Sequence, residues 1–316
     1  MQSLVAENLS KQYGTLKALD NLDIELKGGK CVGFLGPNGA GKTTTLKLFT
    51  DMIRPTSGRA LINGYDVRKE KKKALASCGA LVETPEIYPS LTPRESLSML
   101  AEIRGLPRSE YRKRVDEVIS SVKMEDWTDQ KVGKFSKGMK QRINVAAALL
   151  SDPEIIILDE PTSGLDPRGM AEVRDIVKSL KARNILIFMS SHLLAEVQEV
   201  CDEVAIIDHG KLLVHGTISE VTSKFSGRPS VRSFDAEFLN EWTAEAIADR
   251  LGQISGIVSI EKPGSSKVRI NFNGTLEEQA RLLAALAGSG TGLITFRESS
   301  STALEDTYMN LIKETL

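Results

Sequence analysis

The stretch Gly36-Pro37-Asn38-Gly39-Ala40-Gly41-Lys42-Thr43-Thr44 holds the densest set of chemically useful residues in the sequence. It follows an apolar run, Cys31-Val32-Gly33-Phe34-Leu35, that reads as a buried strand. It precedes Leu46-Lys47-Leu48-Phe49, which reads as helix. Strand, glycine-rich turn and helix are the setting in which G-x-x-x-x-G-K-[ST] cradles a nucleoside triphosphate. The glycines let backbone N–H groups approach phosphate oxygens that a Cβ would hold at a distance. The start of the helix adds unpaired donors and the positive end of its dipole. Lys42 is placed to reach the β- and γ-phosphates, and the Thr43 hydroxyl to hold Mg2+.

Further candidates stand where apolar runs end. Ile155-Ile156-Ile157-Leu158 is uniformly apolar, as suits a strand buried on both faces of a parallel sheet, and it delivers Asp159-Glu160 at its carboxyl end. Asp159 is placed to hold Mg2+ through water, and Glu160 to orient an attacking water. Ile185-Leu186-Ile187-Phe188-Met189 is the next such run and ends in Ser190-Ser191-His192. A lone His is more often structural, but a strand end on the nucleotide side favours a functional one. Tyr13, just upstream of the phosphate loop, is either a packing residue or a ring on which adenine stacks.

These residues need elements to position them. Residues 3–35 read as short strands, with Leu22, Ile24 and Leu26 alternating against polar neighbours and Gly28-Gly29 turning the chain. Arg59 to Ile62 is a strand closed by the hairpin signal Asn63-Gly64. The charge run Arg68-Lys69-Glu70-Lys71-Lys72-Lys73 reads as a solvated helix face. Gly79-Ala80-Leu81-Val82 is a strand that leads to Glu83-Thr84-Pro85. Residues 91–150 turn helical. Thr92-Pro93-Arg94-Glu95 is a capping box; Leu97, Leu100, Ala101 and Ile103 supply an apolar face; Gly105-Leu106-Pro107 stops the helix. Val115, Val118, Ile119 and Val122 mark a second helix. The polar segment Lys134 to Arg142 runs into a third, Ile143 to Leu150. Ser163-Gly164-Leu165-Asp166-Pro167 is a loop ahead of a helix from Arg168 to Leu180.

Beyond a capped short helix at Thr217-Ile218-Ser219-Glu220 and a linker over 225–230, the pattern changes. Strand (Val231 to Phe234), helix (Thr243 to Ile254), two strands (Val258 to Glu261, Val268 to Phe272), helix (Leu276 to Leu286) and strand (Leu293 to Phe296) follow. That order predicts a small α+β, ferredoxin-like sandwich with Trp242 and Phe272 in its core, before a terminal helix from Ala303.

A length of 316 residues predicts two domains, placed at 1–224 and 231–316. Hydrophobic content of 41%, charged content of 26% and a net charge of −1 describe an ordinary water-soluble chain and argue against nucleic acid as a partner. No apolar stretch is long enough to span a bilayer, and the start lacks a signal peptide's basic and apolar segments, which predicts a cytoplasmic protein. Cys31, Cys78 and Cys201, odd in number and far apart in sequence, read as reduced core thiols.

Tyr13, the loop at 36–44, Ser136-Lys137-Gly138-Met139-Lys140, the strand ending in Asp159-Glu160, and Gly164-Leu165-Asp166 with His192 behind it stand in a fixed order. Together they resemble the ATP-binding cassette (ABC) family over about residues 1–224, in particular its drug- and sodium-export subunits. The resemblance implies an α/β fold, a P-loop NTPase cassette with an antiparallel β subdomain and a helical subdomain at about 85–150. It implies ATP and Mg2+ as cofactors and an ATPase activity. It implies a head-to-tail dimer, with a second copy or a homologous cassette, that clamps ATP between the phosphate loop and the partner's Ser136 and Gly138. His192 would contact the γ-phosphate and position water with Glu160, and Asp166 would communicate across the dimer. An integral-membrane permease would be the other partner, gripped near Glu83 to Tyr88, holding the chain at the inner face of the membrane. Two departures stand out. Phe135-Ser136-Lys137-Gly138-Met139 replaces the usual Leu-Ser-Gly-Gly-Gln, and Glu83 replaces a Gln whose oxygen usually reaches Mg2+. A carboxylate can still ligate Mg2+ but cannot donate a hydrogen bond. The competing readings are a soluble cassette ATPase that remodels ribosomes or nucleic acid, disfavoured by near-neutral charge, and a non-hydrolysing regulatory dimer, disfavoured by Glu160 and His192.

Overall fold

The structure, a computed structural model, describes residues 2–83, 87–226, 232–239, 255–262, 264–288, 292–298 and 308. The described residues up to Val221 form one compact unit and those from Thr222 onward a second. The first unit opens with β1 (Ser3–Tyr13), β2 (Leu16–Lys27), β3 (Cys31–Leu35), α1 (Lys42–Phe49), β4 (Ser57–Ile62) and β5 (Tyr65–Asp66). It continues through α2 (Lys71–Ala76), β6 (Cys78–Leu81), α3 (Pro93–Ile103), α4 (Arg108–Ser121), α5 (Lys137–Leu149) and β7 (Ile155–Asp159). Then come α6 (Pro167–Ala182), β8 (Leu186–Ser191), α7 (Leu194–Val200), β9 (Glu203–Asp208) and β10 (Lys211–Thr217), and the boundary between the units falls within α8 (Ile218–Ser226).

These strands build two sheets. An antiparallel one has the order β2-β1-β4-β5, and a six-stranded one the order β10-β9-β3-β8-β7-β6. Within the larger sheet β9, β3, β8, β7 and β6 pair in parallel and only β10 joins antiparallel. A parallel sheet covered on both faces demands apolar residues at every position, and β3 and β8 are buried throughout. In β2, by contrast, Leu22, Ile24 and Leu26 are buried and their neighbours exposed, the period of a one-sided strand. The β4–β5 hairpin turns at Asn63 and Gly64 with φ of 52° and 80°, the positive pair that a type I′ turn needs.

Helix α1 contacts β2, β4 and β7, so the helix that follows the phosphate loop touches both sheets. Phe34, Phe49 and Phe188 meet there, with Phe188 5.1 Å from Phe34 and 6.0 Å from Phe49 between ring centroids. The α3, α4 and α5 helices pack on one another as a helical part. Its first helix opens with the expected capping box: Thr92 accepts from the Glu95 N–H and the Glu95 carboxylate from the Thr92 N–H.

Several expectations need correction. Ile103 is 73% exposed: six positions beyond Leu97 puts it well off the face that buries Leu97 and Ala101. The third helix begins at Lys137, not Ile143, because Ser136 caps it from the Met139 N–H. The charge run is helical only from Lys71. The first two strands are long, 11 and 12 residues. The reading of the cysteines as core thiols, by contrast, holds: those of Cys31 and Cys201, far apart in sequence, lie 3.3 Å apart, because β3 and β9 are neighbours. All three cysteines are free and buried. Burial pushes the Cys78 thiol up to about 12, and the Cys201 thiol is raised by its hydrogen bond with Cys31 and by burial, as befits inert core thiols.

The second unit comprises β11 (Arg232–Phe238), β12 (Ile257–Glu261), β13 (Lys267–Phe272), α9 (Leu276–Gly288) and β14 (Leu293–Glu298). Its sheet has the order β12-β13-β11-β14 with every neighbouring pair antiparallel. Leu282 and Leu286 of α9 share a core with Phe234, Phe238, Ile270 and Phe272. Trp242, the expected helix at 243–254 and most of the linker lie outside the described residues; of the terminal helix only Tyr308 is described, and it is helical.

Phe188 is fully buried where both sheets and α1 converge. Phe188→Ala is expected to cost about 3–5 kcal/mol of folding stability, read as a lowered denaturation midpoint in urea. A loss below about 1 kcal/mol would show that this junction is not a close-packed core.

Candidate nucleotide site

In a parallel sheet every strand delivers its carboxyl end to the same edge. Here the register sets Leu35 beside Ser191, Ser190 beside Asp159, and Leu158 beside Leu81. The segments that leave these ends carry Gly36 to Thr44, His192, Glu160 and Glu83, so sheet topology alone gathers four separate stretches.

Within that gathering the side chains meet. Lys42 is only 5% exposed, and its ammonium donates to the carbonyls of Gly36 at 2.7 Å and Pro37 at 3.1 Å. Its Nζ also lies 3.7 Å from Glu160 Oε1. Burial holds the Lys42 pKa below the usual lysine value, against the opposing pull of Glu160 and Asp159. The Thr43 hydroxyl donates to Asp159 Oδ1 at 3.2 Å. His192 Nδ1 stands 3.1 Å from Glu160 Oε2. Glu160 itself has a φ of 42°, a left-handed value for a side-chain-bearing residue.

Ser190, which the sequence reading passed over, organises both acids. Its hydroxyl donates to Asp159 Oδ1 at 2.6 Å and accepts from the Glu160 N–H at 2.8 Å. A second overlooked residue, Gln141, is buried in α5 and donates to the Pro161 carbonyl at 2.8 Å, tying that helix to the loop that leaves Glu160. A polar residue at a buried helix position was the only signal for Gln141; for Ser190 it was a hydroxyl one strand position before the chain leaves the sheet.

The loop itself is shaped by close approach. Gly41 has a φ of 107°, and a Cβ there would lie 2.5 Å from the Ala18 carbonyl. A Cβ on Gly36 would strike the Ile207 carbonyl. Among the described residues no side chain caps α1, so its first N–H groups remain available to an anion at the loop. Pro37, Asn38, Gly39, Ala40 and Thr44 complete the same turn, with the Ala40 N–H donating to the Pro37 carbonyl. The donor set fits a triphosphate and a hard cation: backbone N–H groups, a buried ammonium, and a hydroxyl beside a carboxylate, the few protein oxygens Mg2+ takes when phosphates supply the rest.

Ser136, Gly138 and Asp166 form a separate cluster. Ser136 caps α5, Asp166 accepts from the Gly169 N–H at 3.1 Å to cap α6, and Gly138 faces Gly169 where those helices meet. The Lys137 ammonium lies over Gly164, in the space a Cβ there would need. Glu83 is 60% exposed and forms an ion pair with Lys47. Tyr13 ends β1, 46% exposed, with the Lys11 ammonium 4.9 Å from its ring centre.

Comparison with known proteins agrees with this geometry. The family model described as ABC transporter matches residues 19–163. The bacitracin transport ATP-binding protein BcrA of Bacillus licheniformis is 49% identical over 65% of this chain and 67% of its own length. The linearmycin resistance ATP-binding protein LnrL of Bacillus subtilis is 37% identical over 71% and 72%. The Nod factor export ATP-binding protein I of Cupriavidus metallidurans is 30% identical over 98% and 96%. Among solved structures, an ATP-binding subunit of an ABC transporter matches with a TM-score of 0.63 and 31% identity over 71% of this chain and 94% of its own. The cbiO1 protein of Clostridium perfringens, part of the transporter complex cbiONQ, matches at 0.62 and 30% identity, over 71% and 94%. The fold and the phosphate-loop constellation define an ATP-binding cassette. The chain belongs to the ATP-binding proteins of ABC transporters, subunits that dimerise and work with membrane permease components. Among the described residues no helix is long and apolar enough to cross a membrane.

Gly41→Ala meets both a left-handed backbone and a carbonyl. It is expected to cost about 1–3 kcal/mol of stability and to weaken binding of a fluorescent ATP analogue by about tenfold or more. Unchanged binding would show that the loop does not need this conformation.

Proposed function

We propose that this chain hydrolyses ATP as the energising subunit of a membrane exporter, dimerising head to tail with a second copy or a homologous cassette. The observation that carries the reading is the convergence of Lys42, Thr43, Asp159, Glu160 and His192 within hydrogen-bonding and ion-pair distances. In this reading the N–H groups of Gly36 to Thr44 and the Lys42 ammonium hold the phosphates, with Lys42 made more effective by its dry surroundings. Thr43 and Asp159 hold Mg2+, and Ser190 keeps the Asp159 carboxylate aimed at it. Bound Mg2+ neutralises charge on the β- and γ-phosphate oxygens.

Glu160 accepts a hydrogen bond from the attacking water and sets its direction. His192 restrains that carboxylate and contacts the γ-phosphate. Ser136 and Gly138 offer donors at the start of α5 to the triphosphate held by the other cassette, with Asp166 reporting across the interface. Removal of the bridging phosphate by hydrolysis withdraws the partner of those donors and loosens the dimer, a population shift driven by ligand state. Tyr13 stacks on adenine. Glu83, as a carboxylate in place of an amide, gives the site its own Mg2+ dependence.

The permease partner fits a 260 Å3 groove between β6 and the helical part, lined by Leu81, Tyr88, Leu97, Leu100, Arg104 and Ala147. The mostly apolar lining suits a cytoplasmic helix of the permease laid into a groove. Docking there holds the chain at the cytoplasmic face of the membrane. The export direction is supported by the likeness to the Nod factor export ATP-binding protein I, and is consistent with the bacitracin transport and linearmycin resistance proteins. The ATP-binding domain is read as residues 1–224, with a linker at 225–230. Residues 231–316 are read as an accessory ferredoxin-like domain, supported by the strand order of the second sheet.

Glu160→Gln is expected to bind ATP, to lose at least about 100-fold in turnover, and to elute as a dimer on gel filtration with ATP and Mg2+. His192→Ala is expected to retain binding and lose most turnover. Hydrolysis by Glu160→Gln at the wild-type rate would remove that carboxylate from the chemistry.

A further inference from the structure

Glu83 follows β6, the strand beside the one that carries Asp159. Its backbone has a φ of 60°, in the region that favours glycine, and its carboxylate is bound by the Lys47 ammonium. Lys47 lies on α1 one helical turn beyond Thr43, so the two side chains leave the same face of the helix. The Thr43 hydroxyl reaches Asp159 from that face, and the Lys47 ammonium reaches Glu83. An ion pair therefore bridges the phosphate-loop helix and the segment leaving β6, alongside the oxygen pair assigned to Mg2+. An amide at position 83 would need no counter-ion; a carboxylate beside triphosphate does, and Lys47 supplies it.

We propose that Lys47 is a positioning residue that holds the Glu83 carboxylate in reserve and competes with the divalent cation for it. Engagement of Mg2+ by Glu83 then requires the pair to open, which couples arrival of the metal–nucleotide complex to release of the Glu83 carboxylate from Lys47. The proposal rests on the reading of Glu83 given above. Lys47 is 23% exposed and Glu83 60%, so the pair is weak enough to be broken by a ligand rather than a fixed strut.

The test is an Mg2+ titration of equilibrium binding of a fluorescent ATP analogue to the full-length chain, made for wild type, Lys47→Met, Glu83→Gln and the double variant. Lys47→Met is expected to lower the half-saturating Mg2+ concentration by about two- to fivefold, the range of an exposed ion pair, and to do nothing in the Glu83→Gln background. Lys47→Gln must shift it in the same direction, and Lys47→Arg must restore the wild-type midpoint. An unchanged midpoint in Lys47→Met overturns the proposal while leaving the nucleotide site intact. An equal shift with and without Glu83 also overturns it, since loss of any cation near phosphate would then account for the effect. If wild type binds no nucleotide at any Mg2+ concentration, the reading of the site falls and this proposal with it.

Discussion

The ammonium of Lys42 is the constraint around which the cassette is arranged. A nearly fully buried cation is costly unless oxygens surround it. Two of those oxygens are carbonyls of its own loop, which exist in that position only because Gly36 and Gly41 allow the chain to fold tightly against the Ile207 and Ala18 carbonyls. The third is a Glu160 oxygen, contributed by a strand more than a hundred residues away and separated from β3 in the sheet by β8. The same β8 supplies Ser190, so the strand that separates loop from acid also sets the acid's orientation. Were the sheet order different, the cation would be stranded; the doubly covered parallel sheet and the phosphate site are one requirement seen from two sides.

How much of this could be read from the sequence follows from where each interaction is encoded. The phosphate loop, the two acids and the α3 capping box are contiguous stretches whose geometry is set locally, and they were legible. For Ser136 and Asp166 the structure shows helix caps, and a role across a dimer is what the resemblance alone implies, since a helix cap by itself says nothing of a partner molecule. Ser190, Gln141 and the Lys47–Glu83 pair were not legible, because each depends on register or on the distance between elements. Cys31 and Cys201 illustrate the limit plainly. Their reading as reduced core thiols holds, but the contact between them comes from the pairing of β3 with β9, which sequence separation does not reveal. Ile103 fails for a different reason: an apolar residue near a helix end was credited to a face that the helical angle places elsewhere.

Two carboxylates, Glu83 and Glu160, share a backbone feature that neither sequence pattern nor charge announces. Both follow parallel strands that are neighbours in the sheet, and both adopt left-handed φ values, 60° and 42°. For side-chain-bearing residues such conformations persist only where surroundings over-determine them. At Glu160 the determinants are the Ser190 hydroxyl on its N–H and the Lys42 and His192 groups on its carboxylate. At Glu83 the determinant among the described residues is the single cation of Lys47. The difference in number of restraints separates their uses. A residue held at its N–H and at both carboxylate oxygens suits a group that must not move during water attack, whereas a carboxylate held by one exposed ion pair suits a group that must change partners when the nucleotide arrives. Strain stored at adjacent strand ends is thus tied down firmly in one case and loosely in the other.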